Sequence, residues 1–183
     1  MLKDYIKKRD NKPGNVYLGL IHRLDRPVGG IMVFAKTSKC ASRLSEQVRT
    51  RTLKKTYYAV VLGKLEDKGT FKDYLLKDTK TNIVKVDKNG KEAILDYEVI
   101  DYKNNYSLVK IHLLTGRSHQ IRVQFSSRKH PLYGDQRYNK QDKKQIALFC
   151  SEMSFSHPTT KEIIKVSHEL PNNYPWNLFK TDK

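Results

Sequence analysis

His22-Arg23-Leu24-Asp25-Arg26-Pro27-Val28-Gly29-Gly30, running straight into Ile31-Met32-Val33-Phe34-Ala35, is the stretch around which the chain organises itself. Pro27 and the Gly29-Gly30 pair mark a tight, irregular loop. The branched and aromatic run behind it predicts a buried strand over 31–35. Asp25 therefore stands on a loop that feeds a rigid element, a placement where catalytic side chains concentrate. The same stretch suits a plainer role equally well, with Asp25 neutralising Arg23 and Arg26 on a basic surface.

Outward from that loop, Thr37 or Ser38 can cap a helix reaching about residue 50. Ala41, Leu44 and Val48 give it one narrow apolar face, and Arg43 and Arg49 lie on the side turned to solvent or a ligand. Lys54-Lys55 leads into a strand over 56–62, strands follow over 93–101 and 106–113, and closing strands over 146–150 and 162–166. Asp67-Lys68-Gly69 is a turn, and Asn89-Gly90 is a strong hairpin marker. Thr115-Gly116-Arg117 is a turn from which Ser118 can cap a short helix to about residue 128, with Ile121 and Phe125 toward the core and Arg122 at one edge. His130-Pro131-Leu132-Tyr133-Gly134-Asp135 is again loop chemistry, and residues 1–17 are polar and basic with a turn at Pro13-Gly14. Strands outnumber helices without regular alternation, which predicts an α+β domain around a mixed, largely antiparallel sheet with flanking helices.

Charge limits what Asp25 can act on. With 36 Lys and Arg against 19 Asp and Glu, the 183 residues carry a net +17. An excess of that size attracts polyanions, nucleic-acid phosphate first among them. No apolar stretch approaches the ~20 residues that span a bilayer, so no membrane partner is expected. The start of the chain does not read as a signal peptide. Cys40 and Cys150 imply no disulfide framework and fit a reducing cytoplasm. The histidine and cysteine spacings match no zinc site, the glycines form no phosphate loop, and no serine sits in a nucleophile elbow. One prominent carboxylate, one or two tyrosines, several arginines and a large positive field remain.

Four blocks then carry a resemblance: His22-Arg23-Leu24-Asp25; Lys55-Thr56-Tyr57-Tyr58-Ala59-Val60-Val61; Leu114-Thr115-Gly116-Arg117-Ser118-His119-Gln120-Ile121-Arg122; and His130-Pro131-Leu132-Tyr133-Gly134-Asp135. In this order they resemble the RluA-type family of RNA pseudouridine synthases over roughly residues 20–171, and Phe155-Ser156-His157-Pro158 resembles a further element. The resemblance implies the pseudouridine-synthase catalytic fold as a single domain over 1–183. It implies an isomerase acting on ribosomal or transfer RNA, without metal or organic cofactor, expected as a cytoplasmic monomer. It also implies roles: Asp25 attacks the target uridine, Tyr57 lies against the uracil, and Arg122 pairs with Asp25. Ile121 packs under the base, Arg23 holds the RNA in place of the flipped nucleotide, and Lys55, Arg117 and His119 complete the substrate-binding set.

The physics agrees with these roles. A target uridine must leave the RNA stack, at a few kcal/mol, and phosphate contacts from Arg49, Arg51, Lys54, Lys55 and Arg128 are expected to offset that. Arg122 suits a partner of Asp25 because a guanidinium stays charged and can meet a carboxylate with two hydrogen bonds. The sequence departs from the family in places. Val28 and Gly29 replace a hydroxyl residue and a serine, Gln124 replaces a frequent histidine, and Phe149-Cys150 a frequent His-Ala pair. The opening strand with its Lys-Pro-x-Gly segment is not recognisable before Leu20, so the domain reads as shortened at its N-terminus, with no separate RNA-binding domain ahead of it. The main alternative is a catalytically impaired RNA-binding protein on the same scaffold; a remoter one is an unrelated basic domain whose ion pairs are structural.

Overall fold

The computed structural model describes residues 1–139 and 144–179. Helix α1 (Leu2–Arg9), which the polar N-terminal composition did not announce, leads to two-residue strands β1 (Gly19–Leu20), β2 (Gly29–Gly30) and β3 (Phe34–Ala35). Helix α2 (Ser38–Arg49) follows, then β4 (Lys54–Leu62), β5 (Lys68–Lys77), β6 (Val84–Val86), β7 (Lys91–Lys103) and β8 (Tyr106–Leu113). Helix α3 (Gln120–Ser126), β9 (Leu148–Ser156), β10 (Ile163–Ser167) and a 3₁₀ turn (Trp176–Phe179) complete the described chain.

The main sheet runs β10-β9-β4-β8-β7-β5-β6, with β2 added against β9. Its pairings are antiparallel except β2–β9, which is parallel. The expected α+β architecture around a mixed, largely antiparallel sheet is the one observed. Alternation along the strands divides the core. Tyr57, Ala59 and Val61 of β4 face one side with Val109, Ile111, Leu95 and Tyr97, covered by Leu44 of α2 and by Ile121 and Phe125 of α3. Tyr58 and Val60 face the other, where Trp176, Leu108 and Tyr133 pack. Thr37 caps α2 as anticipated, its hydroxyl accepting from the Cys40 N–H at 3.1 Å.

Four local expectations change. The run 31–35 is not one strand: Ile31 donates its N–H to the Cys150 carbonyl, and only Phe34 and Ala35 pair, against Leu20 and Gly19. Helix α3 is shorter than anticipated, and its N-cap is His119 in the left-handed region (φ 51°) rather than Ser118. Arg43 is not a free outer-face cation, because its Nη1 donates to the Pro158 carbonyl at 2.9 Å and ties α2 to the β9–β10 turn.

The fourth change concerns hairpins. The tight two-residue turn is Asn104-Asn105, both at positive φ, between paired Lys103 and Tyr106, the geometry that matches strand twist. Asn89-Gly90 instead carries the chain across β5, because β6 and β7 lie on its opposite edges. Asp87 still donates to the Tyr74 carbonyl from the β6 side, whereas Lys91 pairs with Leu75 on the β7 side. At the crossing a Cβ on Gly90 would fall 2.3 Å from the Leu75 carbonyl carbon, a clash with backbone that nothing can relieve cheaply. Gly90→Ala is expected to cost about 2 kcal/mol and to lower Tm by about 4–8 °C. Gly14→Ala, with nothing within 4 Å of the added carbon, should stay within about 2 °C of the parent in the same melts. Equal Tm values for the two variants would contradict this account of the crossing.

Candidate active site

The loop that carries Asp25 is closed at its stem and stapled along one side. β1 and β3 pair at its ends, and His22 Nε2 accepts from the Val33 N–H at 3.3 Å. Gly29 and Gly30 lie in register with Phe149 and Cys150. Gly30 sits at φ +127°, where a Cβ would fall 2.4 Å from the Cys150 carbonyl oxygen, so only glycine permits this approach. The departures at Val28 and Gly29 thus coincide with a loop held by backbone bonds. Inside it the Val28 N–H donates to the Asp25 carbonyl at 2.9 Å and the Arg26 N–H to Asp25 Oδ1 at 3.0 Å. The Asp25 carboxylate is left 28% exposed.

Arg122 on α3 reaches that carboxylate through Nη1, which donates to Oδ2. Its two-point grip is elsewhere. Nε and Nη2 donate to Asp135 Oδ2 and Oδ1 at 2.8 and 2.6 Å. Asp135 is fully buried and also accepts from the Arg137 and Tyr138 N–H groups at 3.0 and 3.1 Å. Arg122 is not at an edge but 5% exposed, with its guanidinium 5.2 Å from the centre of the Tyr138 ring. Asp135 is the residue that sequence reasoning missed; the available signal was an acid closing an otherwise apolar loop block.

Two cavities meet at Asp25. The larger, about 780 Å³, runs from Asp25 past His119 and Arg117 to Lys55, Arg51 and Lys77. The smaller, about 70 Å³, is an apolar slot between Tyr57, Ile121, Leu113, Val28 and Leu148, with Asp25, Arg23 and His119 on its rim. Tyr57 is 6% exposed, and burial pushes its phenol well above the ordinary range, with the Cys150 thiol beside it as hydrogen-bonding neighbour. Opposite Thr56 and Tyr57 the register of β9 skips Ser151, so the bulge lies on β9, while Tyr57 itself keeps regular pairing with Ile111 of β8. Lys55, two residues earlier on the same face of β4, makes no ion pair among the described residues, and burial pulls its amine below the usual value. Arg117 is held by the Glu92 carbonyl, to which its Nε donates at 2.8 Å.

Of the predicted set, Asp25, Tyr57, Arg23, Ile121, Lys55, Arg117 and His119 line these adjoining cavities, and Arg122 meets them through the Asp25 carboxylate. The wider phosphate-contact set does so only in part. Arg128 is bound to Asp73 at 2.9 Å and stacked 4.1 Å over Phe71, a structural role. Lys54 is exposed on the other face of β4, and Arg49 lines the cleft but is paired with Glu46. Gln124 is buried in place of a histidine and donates to the Asp73 carboxylate at 2.7 Å. Among the described residues, no group of three or more His, Cys, Asp or Glu is placed to hold a metal ion, and no helix is long and apolar enough to cross a membrane.

The chain belongs to the RNA pseudouridylate synthase family, whose family model matches residues 1–127. It is 34% identical over 93% of its length to ribosomal large subunit pseudouridine synthase C of Buchnera aphidicola, covering 57% of that protein. It is 36% identical over 88% of its length to an uncharacterized RNA pseudouridine synthase of Bacillus subtilis, covering 55% of it. Against ribosomal large subunit pseudouridine synthase D of Haemophilus influenzae the identity is 31%, over 85% of this chain and 53% of that protein. The chain thus spans little more than half the length of these relatives. Two solved human structures share the fold. RNA pseudouridylate synthase domain containing 4 matches at TM-score 0.79 and 21% identity, over 93% of this chain and 77% of that one. Domain containing 1 matches at 0.76 and 22%, over 92% and 74%.

One pH dependence follows from the loop's stem. His22 is 8% exposed and must stay neutral to accept from Val33; burial, with the Lys55 charge adding to it, pulls its pKa down to about 4. The unfolded chain, with an ordinary imidazole near 6.5, binds the proton first. Stability from this group is therefore complete above pH 6.5 and is lost as pH falls toward 4, a loss on the order of 3 kcal/mol. In urea melts between pH 7 and 4, His22→Gln should flatten the decline relative to the parent; identical slopes would contradict the buried neutral ring.

Proposed function

We propose that this chain is an RNA pseudouridine synthase, a single catalytic domain that isomerises uridines of large-subunit ribosomal RNA as a cytoplasmic monomer. The observation that carries the reading is the position of Asp25, where a cationic cleft narrows into an apolar slot and a buried arginine holds the carboxylate. The cleft can take phosphates on Arg51, Lys55, Lys77 and Arg23. The slot, with Ile121 below and the Tyr57 ring beside it, offers a flipped base stacking and exclusion of water. The names of the relatives from Buchnera and Haemophilus supply the RNA class.

The reaction exchanges the N1–C1′ bond of uridine for a C5–C1′ bond, with one proton leaving C5 and one arriving at N1, so no co-reactant is consumed. Asp25 acts as the nucleophile that holds the target nucleotide while the base is detached and turned. Arg122 stabilises the negative charge of that carboxylate and, anchored by Asp135, fixes the direction from which it attacks. Tyr57 lines the slot and exchanges a proton with the base through its hydroxyl, which burial keeps protonated before the base enters.

Incubation with total RNA followed by chemical mapping should reveal pseudouridine at discrete positions. Asp25→Asn should abolish it while RNA affinity stays within a few-fold, because affinity comes mainly from the basic surface. Product formed by Asp25→Asn at the parent rate would remove Asp25 from the chemistry, and RNA affinity without product in the parent would favour the impaired scaffold. Tyr57→Phe keeps the stacking ring and loses the hydroxyl. It should bind RNA normally and react roughly 100-fold more slowly, whereas Tyr58→Phe, on the other face of β4, should change neither quantity. Full activity of Tyr57→Phe would exclude a proton-transfer role for that hydroxyl.

A further inference from the structure

Tyr138 lies three residues beyond the last of the four sequence blocks that carry the family resemblance, and it touches two of the groups that surround Asp25. Its ring lies against the Arg122 guanidinium, and its hydroxyl lies 2.7 Å from His119 Nδ1. The backbone N–H of Tyr138 is fixed by Asp135, the acid that also holds Arg122. The same hydroxyl oxygen accepts from the Val84 N–H at 3.0 Å. That leaves the hydroxyl one proton and one lone pair for His119, and the Asp25 carboxylate on the other side of the ring selects which of them is used.

Hydrogen-bond bookkeeping then decides the tautomer of His119. A hydroxyl that donates to Nδ1 requires an unprotonated Nδ1, so the proton of the neutral ring sits on Nε2. Nε2 lies 3.6 Å from Asp25 Oδ2, on the rim of both cavities. The opposite tautomer would turn a lone pair toward a carboxylate, which is repulsive. At 3.6 Å the N–H is oriented by the carboxylate but not consumed by it, since a hydrogen bond of this type closes at 2.7–3.2 Å. The groups facing the ring are Asp25, Arg122, Arg137, Lys77 and Tyr138. Burial lowers the pKa of the ring, the three cations lower it further, and Asp25 opposes them. His119 itself lies in the left-handed region, φ 51°, a conformation that costs a non-glycine residue energy and concentrates at functional sites.

We propose that Tyr138 is a positioning residue that locks His119 in its Nε2–H tautomer, so that a single neutral N–H donor is presented beside Asp25 to a carbonyl oxygen of the uracil in the slot. The proposal rests on the reading of the chain as a pseudouridine synthase, and it adds to that reading a residue and a protonation state. It commits His119 to donating a hydrogen bond rather than shuttling a proton, because a neutral ring with Nδ1 occupied has no free lone pair.

The test has two arms on the full chain. Long-range ¹⁵N–¹H spectra of the RNA-free protein read the tautomer without any turnover. At pH 8, above the ordinary imidazole range, His119 should be a single Nε2–H species in the parent and a mixture of tautomers in Tyr138→Phe, a variant that keeps the ring against Arg122. In single-turnover assays Tyr138→Phe and His119→Leu should each slow product formation about tenfold, the equivalent of one hydrogen bond, with RNA Kd within twofold. The double variant should be no slower than His119→Leu, because one residue acts through the other. His119→Gln, which retains an N–H donor, should recover part of the rate. An Nδ1–H tautomer in the parent, a tautomer unchanged in Tyr138→Phe, or rate losses that multiply in the double variant would each overturn the relay. A parent that makes no pseudouridine while its His119 is a clean Nε2–H species would instead refute the functional reading.

Discussion

A guanidinium buried to 5% exposure and shared between two carboxylates is the constraint on which the site depends. Neither Arg122 nor Asp135 could occupy its position alone, because an unpaired charge in a water-poor interior is strongly unfavourable. Asp135 answers Arg122 with both oxygens and completes its own shell with two backbone N–H groups. The remaining nitrogen, Nη1, is the one aimed at Asp25. The structure therefore separates anchoring from action: the fully buried acid fixes the arginine, and the partly exposed acid at the cavity junction is the one a substrate can reach.

The sheet supplies the rest of the geometry. β9 serves three clients at once: β4 along one edge, β10 along the other, and the Gly29-Gly30 segment of the Asp25 loop. Alternation on β4 places Tyr57 at the slot and Lys55, two residues earlier, in the neighbouring cleft. α3 covers the same face, with Ile121 under the slot and Arg122 beside it. One strand pair and one short helix thus fix the Tyr57 ring, the Ile121 floor and the Arg122 guanidinium relative to one another, and β9 holds the loop that carries Asp25 beside them. Rigid elements hold the chemistry and the loop contributes only Asp25 and its neighbours, as preorganisation requires.

Much of this was legible in the sequence because its signals are local. The strands β4, β7 and β8, the cap at Thr37 and the facing of Tyr57 against Tyr58 follow from period-two and capping rules. What escaped depends on contacts distant in the chain. Asn89-Gly90 has ideal hairpin chemistry, yet the glycine is required by its passage over Leu75 rather than by turn dihedrals. Residues 31–33 have strand composition, but their backbone is used to leave β9. Arg128 and Arg122 look equally available as cations; Asp73 and Phe71 claim the first, and Asp135 the second. Tyr138 follows the last of the four blocks, and its contacts with Arg122, His119 and Val84 arise only when α3 and β6 come together.

The central claim is that Arg122, anchored by Asp135, directs the Asp25 carboxylate at a uridine. The rate of pseudouridine formation by Arg122→Lys in a single turnover, at saturating protein on an RNA that the parent modifies, tests it most directly. Lysine keeps a positive charge in the pocket but cannot hold two carboxylates through a planar fork. The account predicts RNA bound within a few-fold of the parent and product formed about 100-fold more slowly, equivalent to about 2.7 kcal/mol of lost transition-state stabilisation. Product at the parent rate from a folded Arg122→Lys protein would contradict it.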